Sequence, residues 1–146
     1  MRRNPLLFAF LVIALCACGG DDSSPSVTDD ILPSHLLVDG DQLLIAETGA
    51  NRVLAWVDEE LDIFADASVG LAQPVGVAAL PSGNIFVANH GNGMLVELDA
   101  KGAFQRTVHT KLGDNRLLSV AVRSDGSVFI VDDKGGFGSL YRVMLP

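Results

Sequence analysis

Five polar side chains close apolar runs of this 146-residue sequence. Glu47 ends QLLIAE, Asn89 and His90 end NIFVANH, and Asp132 and Asp133 end SVFIVDD. Carboxylates and amides in such places do one of two things. Beside glycine they hydrogen-bond their own turn and hold it. Aimed at a common rim, they take a ligand or a cation. The neighbouring glycines are Gly49, Gly91, Gly93, Gly135 and Gly136, a residue type that tight turns use for positive φ. Turn-holding is the simpler role for Glu47, Asn89, Asn92, Asp132 and Asp133. A binding face on one rim, made of Glu47, Asn89, His90, Asp132 and Asp133, is the functional one. Asp132 and Asp133 offer oxygens to Ca²⁺, but that ion takes about six to eight oxygen ligands and no loop has EF-hand spacing. His90 reads as a solvated loop residue, with His35 and His109 elsewhere. No Gly-x-Ser-x-Gly, His-Glu-x-x-His or phosphate-binding glycine loop is present, so no catalytic residue is assigned.

The elements that position these residues recur. Gly40, Gly83 and Gly126 stand 43 residues apart, and each precedes one of the three runs. Behind each run comes a glycine-containing turn and then another apolar stretch: VLAWV, MLVELD and SLYRVM. PVGVAALPSG and LLSVAVRSDG match ahead of the second and third glycines. The runs are short, β-branched and bounded by Gly, Asn, Asp and Pro, which marks strands. No helical periodicity appears after the leader. In the middle repeat the strands are expected at Val75–Leu80, Ile85–Ala88, Met94–Leu98 and Phe104–Val108. Four strands per repeat of this length is a propeller blade. The fold class is therefore all-β: a partial propeller of about three four-stranded antiparallel blades, near 36–65, 75–108 and 117–146, the last incomplete. Val77, Val87, Val120 and Ile130 are expected in the core, with Trp56 and Tyr141 as packing residues of the third strands.

IAETGANRVLAWV and PVGVAALPSGNIFVANHGNGMLVELDAKGAF resemble the NHL-repeat pattern of a strand end, a Thr-Gly or Gly-containing loop, and an Asp-x-x-Gly turn. Glu47 and Asn89 stand where that pattern has Asp, and only the first repeat has an arginine at the place of Arg52. The resemblance implies a propeller that binds a protein or small-molecule ligand at one face. It is also similar to the gluconolactonase-like and streptogramin-lyase-like propellers. That likeness implies an alternative, a metal-dependent enzyme. A divalent cation such as Ca²⁺ would then be held by residues placed like Glu47, Asn89 and Asp132. A third reading is a truncated propeller with no function of its own.

The first residues carry an address. Arg2 and Arg3, then an apolar run from Leu6 to Leu15, make a secretory leader, since the run is too short to span a bilayer. Leu15-Cys16-Ala17-Cys18 resembles the lipobox of bacterial lipoproteins, with Cys18 as the lipid attachment point. This divides the chain into a signal helix at 1–17, a flexible polar tether at 18–30 and propeller repeats at 31–146. The implied location is the cell envelope, on a bacterial membrane and at the outer membrane or periplasmic side of a diderm cell. From Cys18 onward eight basic and 18 acidic residues remain, a net charge of −10. No basic cluster appears in the sequence, which disfavours nucleic acid as a partner. Three blades cannot close a ring, so a homodimer completing six blades is a further expectation.

Overall fold

The computed structural model describes residues 31–145. The expected signal helix, Cys18 and the tether at 18–30 lie outside the described residues. Eleven strands form three antiparallel sheets, each paired in chain order. The first sheet holds β1 (Pro33–Asp39), β2 (Gln42–Glu47), β3 (Arg52–Val57) and β4 (Glu60–Ala65) in that order. The second holds β5 (Pro74–Ala79), β6 (Ile85–Asn89), β7 (Met94–Leu98) and β8 (Phe104–His109). The third has three strands, β9 (Leu117–Val122), β10 (Val128–Lys134) and β11 (Phe137–Val143), with β10 in the middle. The chain is thus all-β, a partial propeller whose last blade is incomplete. A 3₁₀ turn at Ala67–Val69 is the one departure from strand and loop that the repeat pattern does not announce.

Local chemistry repeats with the blades. β1 and β5 both begin at a proline and both shift register just after it. Proline tolerates that first position because no ladder bond is needed from its nitrogen. The turns at 80–84 and 123–127 close with the same two backbone bonds. Leu80 N–H donates to Asn84 and Gly83 N–H to Leu80; Arg123 N–H donates to Ser127 and Gly126 N–H to Arg123.

The core lies between blades rather than within one. Leu44, Ala46, Val53 and Ala55 of the first blade meet Val77, Ile85, Val87, Val96 and Leu98 of the second. Ala78, Phe86, Ala88, Leu95 and Val108, from the other face of the second blade, meet Leu117, Val120, Val128 and Ile130 of the third. The middle blade is therefore apolar on both faces, and its strands read as continuous apolar runs instead of alternating ones. Gly76 lets the inner strands close up: a Cβ there would sit 3.3 Å from the Cα of Ser119. Val77, Val87, Val120 and Ile130 are all buried. Tyr141 departs from expectation: it is 43% exposed, because β11 is an edge with no fourth strand beside it among the described residues.

Three turn carboxylates set a pH dependence. A bond from Ser68 holds Asp66 below the usual carboxylate value. Backbone N–H groups of Ala103 and Lys101 do the same for Asp99. The backbone of Ser127 does it for Asp125. A depressed folded-state value stabilises the fold above the unfolded value of 3.8. That stabilisation is lost as pH falls through the lowered values. Urea midpoints measured from pH 7 downward are expected to hold until about pH 4 and then to drop. Asp99→Asn is expected to flatten part of that drop.

Candidate functional site

The strand ends that carry the candidate residues all fall on one rim. Glu47 pairs with Arg52, Asn89 with Met94, and Asp132 with Leu117. His109 at the end of β8 pairs with Met94. The turns after β2, β6 and β10, and the connections that lead into β5 and β9, are therefore neighbours.

On this rim three of the expected site residues turn inward. Glu47 is buried and bonds the guanidinium of Arg52 on the next strand. Asn89 is fully buried. Its amide donates to the carbonyl of Gly70 at 2.8 Å and its oxygen accepts from Ala72 N–H at 3.1 Å. Asp132 is fully buried and accepts from Arg116 Nε at 2.8 Å and from its Nη2. That carboxylate raises the Arg116 guanidinium above its ordinary value through the hydrogen bond. Asn89 and Asp132 do not hold their own turns but fasten the segment entering the same blade, whereas Glu47 bonds Arg52 across the turn that joins β2 to β3. A buried polar group needs such partners, since leaving it unpaired costs more than the bond contributes.

The other two sit differently. Asp133 is exposed and accepts from Gly136 N–H at 3.0 Å, a turn-holding bond. Asn92 does the same for Met94 N–H at 3.2 Å. His90 is half-buried rather than solvated. Its Nδ1 lies 3.0 Å from the Leu117 carbonyl, its N–H donates to Gln73 at 2.9 Å and its carbonyl accepts from Asn115 N–H at 2.7 Å. It stitches the second blade to the third. Among the described residues no group of three or more His, Asp, Glu or Cys stands together as a metal site would require. Glu47, Asn89 and Asp132 do not fit a shared cation, because each is taken up by a different partner within its own blade.

Asn89→Ala would orphan the Gly70 carbonyl and the Ala72 N–H. The expected loss is about 2 kcal/mol in a urea titration, whereas Asp133→Ala on the exposed turn is expected to cost well under half of that.

Reasoning from sequence missed a second feature. A cleft of about 560 Å³ runs between the end of β8, the connection after it, and β11. His109, Lys111, Arg116, Lys134, Tyr141 and Arg142 line it. Eight Lys and Arg lie within the described residues, and four of them are in this cleft. Arg116 is committed to Asp132, and Arg142 donates to Ser127 Oγ at 3.1 Å. Lys111 and Lys134 make no ion pair among the described residues. Each cation is isolated in sequence, so no run of charge announces the cluster. Only the packing of blade three on blade two brings them together. Glu97 was also passed over. Buried within an apolar strand, it accepts from Asn84 Nδ2 at 2.7 Å and Arg106 Nε at 2.6 Å.

No family model matches the sequence, and no curated protein matches it. Solved structures do match in shape. A gluconolactonase from Xanthomonas campestris is 21% identical, with a TM-score of 0.56 over 70% of this chain and 40% of that one. A streptogramin B lyase is 16% identical, with a TM-score of 0.57 over 76% and 40%. The WD40 propeller domain of Doa1 is 13% identical, with a TM-score of 0.59 over 79% and 38%. The match thus spans about 40% of each of these larger proteins. Two of the three are named for different chemistries and one is a WD40 domain, so what they share with this chain is architecture: the fold is a β-propeller, of which the described residues form three blades.

Proposed function

We propose that this protein is a binding module of the bacterial cell envelope, an NHL-like propeller anchored by lipid at Cys18, that takes a small anionic ligand in the cleft between its second and third blades. The observation that carries the reading is the placement of Lys111 and Lys134, unpaired, beside Arg142 and His109 in one concavity of an otherwise acidic chain. Cations gathered in a cleft with low-dielectric walls concentrate field and attract a carboxylate or phosphate group. The surrounding negative charge favours a small anion over a polyanion. The polar rim residues of β2, β6 and β10 support binding over catalysis, because their hydrogen-bonding capacity is spent on the fold. The metal-dependent enzyme reading draws on fold likeness to a gluconolactonase and a streptogramin B lyase, and no donor set among the described residues adds to it.

The test is calorimetric titration of the purified chain with inorganic phosphate and with citrate. Binding of at least one probe is expected, weakening as salt rises. The Lys111→Glu/Lys134→Glu variant is expected to lose about tenfold or more in affinity, on the order of 1.4 kcal/mol. No binding of either anion, or binding unchanged in that variant, overturns the proposal. The address is checked separately: Cys18→Ser is expected to move the chain from the membrane to the soluble fraction.

A further inference from the structure

The cleft between blades two and three is not cationic throughout, and its lining is ordered along β10. Side chains of a strand alternate between the two faces of its sheet. Val128, Ile130 and Asp132 are the buried alternates of β10, and Val128 and Ile130 pack in the seam with blade two. This is therefore the face that looks toward the cleft, and Lys134 is its next member. Passing outward along it come Ile130, then Asp132 held by the Arg116 guanidinium, then Lys134. Ile130, Arg116 and Lys134 all line the cleft. A strand rises about 3.3 Å per residue, so the wall changes from apolar to cationic over about 13 Å.

The partner strand and the facing wall keep the same order. β11 sets Tyr141 opposite Ile130 and Ser139 opposite Asp132. Tyr141 thus stands at the apolar end of the cleft, 43% exposed. On the connection after β8, Leu112 is half-buried and packs on the same seam, while Lys111 beside it is exposed. Each wall therefore offers a cation and, next to it, an apolar side chain. The volume of about 560 Å³ lies in the range of about 300–1,000 Å³ that whole small molecules occupy. A bare inorganic anion at the lysines would leave the Tyr141 end unfilled.

We infer that the ligand of this cleft is a small aromatic anion, with its charged group at Lys111 and Lys134 and its ring against Tyr141. The inference rests on the anion reading of the cleft and narrows it from a charge to a charge joined to a ring. Two effects favour the ring. Covering the exposed part of Tyr141 and Leu112 removes apolar surface from water. A tyrosine ring also takes an aromatic partner in offset-stacked or edge-to-face contact, which adds to the burial. Tyr141 is then the residue that sets specificity, and the lysines set affinity for the charge.

Calorimetric titration of the full chain with phenyl phosphate and with inorganic phosphate, in one buffer, tests this. Phenyl phosphate is expected to bind about tenfold tighter. The ratio of the two affinities is the readout. Tyr141→Ser is expected to bring that ratio close to one, and Tyr141→Phe, which keeps the ring, to preserve it. The Lys111→Glu/Lys134→Glu variant is expected to weaken both probes. Butyl phosphate, apolar without a ring, is expected to bind more weakly than phenyl phosphate. Inorganic phosphate that binds as tightly as phenyl phosphate overturns this inference and leaves the anion reading standing. A ratio that survives Tyr141→Ser, or one lost in Tyr141→Phe, or butyl phosphate equal to phenyl phosphate, also overturns it. No binding of any of the three probes overturns it together with the reading on which it rests.

Discussion

Gly102→Ala is expected to cost the fold about 4 kcal/mol. Gly102 lies in the turn between β7 and β8 with φ of +83°, and a Cβ there would stand 1.9 Å from the carbonyl oxygen of Phe64. Two costs combine. Holding an L-residue in the left-handed region costs about 1–2 kcal/mol. Forcing an atom into a packed contact adds about 1–3 kcal/mol, and more where the obstacle is backbone. Phe64 belongs to the outer strand of blade one, so relief of the clash means parting blades one and two. A total near 4 kcal/mol is a large share of the stability of a domain this size. Gly40→Ala serves as the control: φ is +61° but nothing lies within 4 Å. It is expected to cost only the backbone term. Urea titration of the two variants side by side separates the clash from the conformational strain. Equal losses at the two positions would mean that the blade-to-blade contact at Phe64 is absent.

Phe86→Ala is expected to be nearly as damaging. Phe86 is fully buried at the centre of the seam between blades two and three, among Ala78, Ala88, Leu95, Val108 and Val128. Removing a phenyl ring from such a site costs about 3–5 kcal/mol, through lost burial and the cavity left behind. Phe129 holds the corresponding position in blade three, but on the end face. In a lone chain Phe129→Ala is expected to cost much less than Phe86→Ala, because the ring is only half-buried. Thermal melts of both variants side by side measure the difference.

Much of the fold was legible because its signals are local and repeated. The glycines at 40, 83 and 126 mark the hairpins between first and second strands, and in the middle repeat the strand expected at 94–98 falls on β7 without adjustment. The first is shifted by one residue, and the second and fourth run one residue further, since strand ends are where ladder bonds are least fixed. The site was less legible. Glu47, Asn89 and Asp132 look alike in sequence, each a polar residue ending an apolar run, and local turn chemistry explains them equally well. Their real partners, Arg52, the Gly70–Ala72 segment and Arg116, come from three different places in the blade. Only the third dimension selects among those. The same holds for Lys111, Lys134 and Arg142, which are scattered in sequence and meet in one cleft.

Glu97 shows the reverse case. A carboxylate inside MLVELD invites a reading as an exposed position on a half-buried strand. It is buried instead, and Asn84 and Arg106 satisfy it. A polar residue breaking an apolar run is a signal that a partner exists, though it does not say which.

The claim on which the account turns is that the cleft between the second and third blades takes a small anion on Lys111 and Lys134. Thermal melts of the purified chain in rising phosphate test it most directly, because a ligand that binds only the folded state raises the midpoint. A midpoint that climbs with phosphate in the unaltered chain, and stays level in the Lys111→Glu/Lys134→Glu variant, is the predicted result. A midpoint indifferent to phosphate, or one that climbs equally in both, would contradict it.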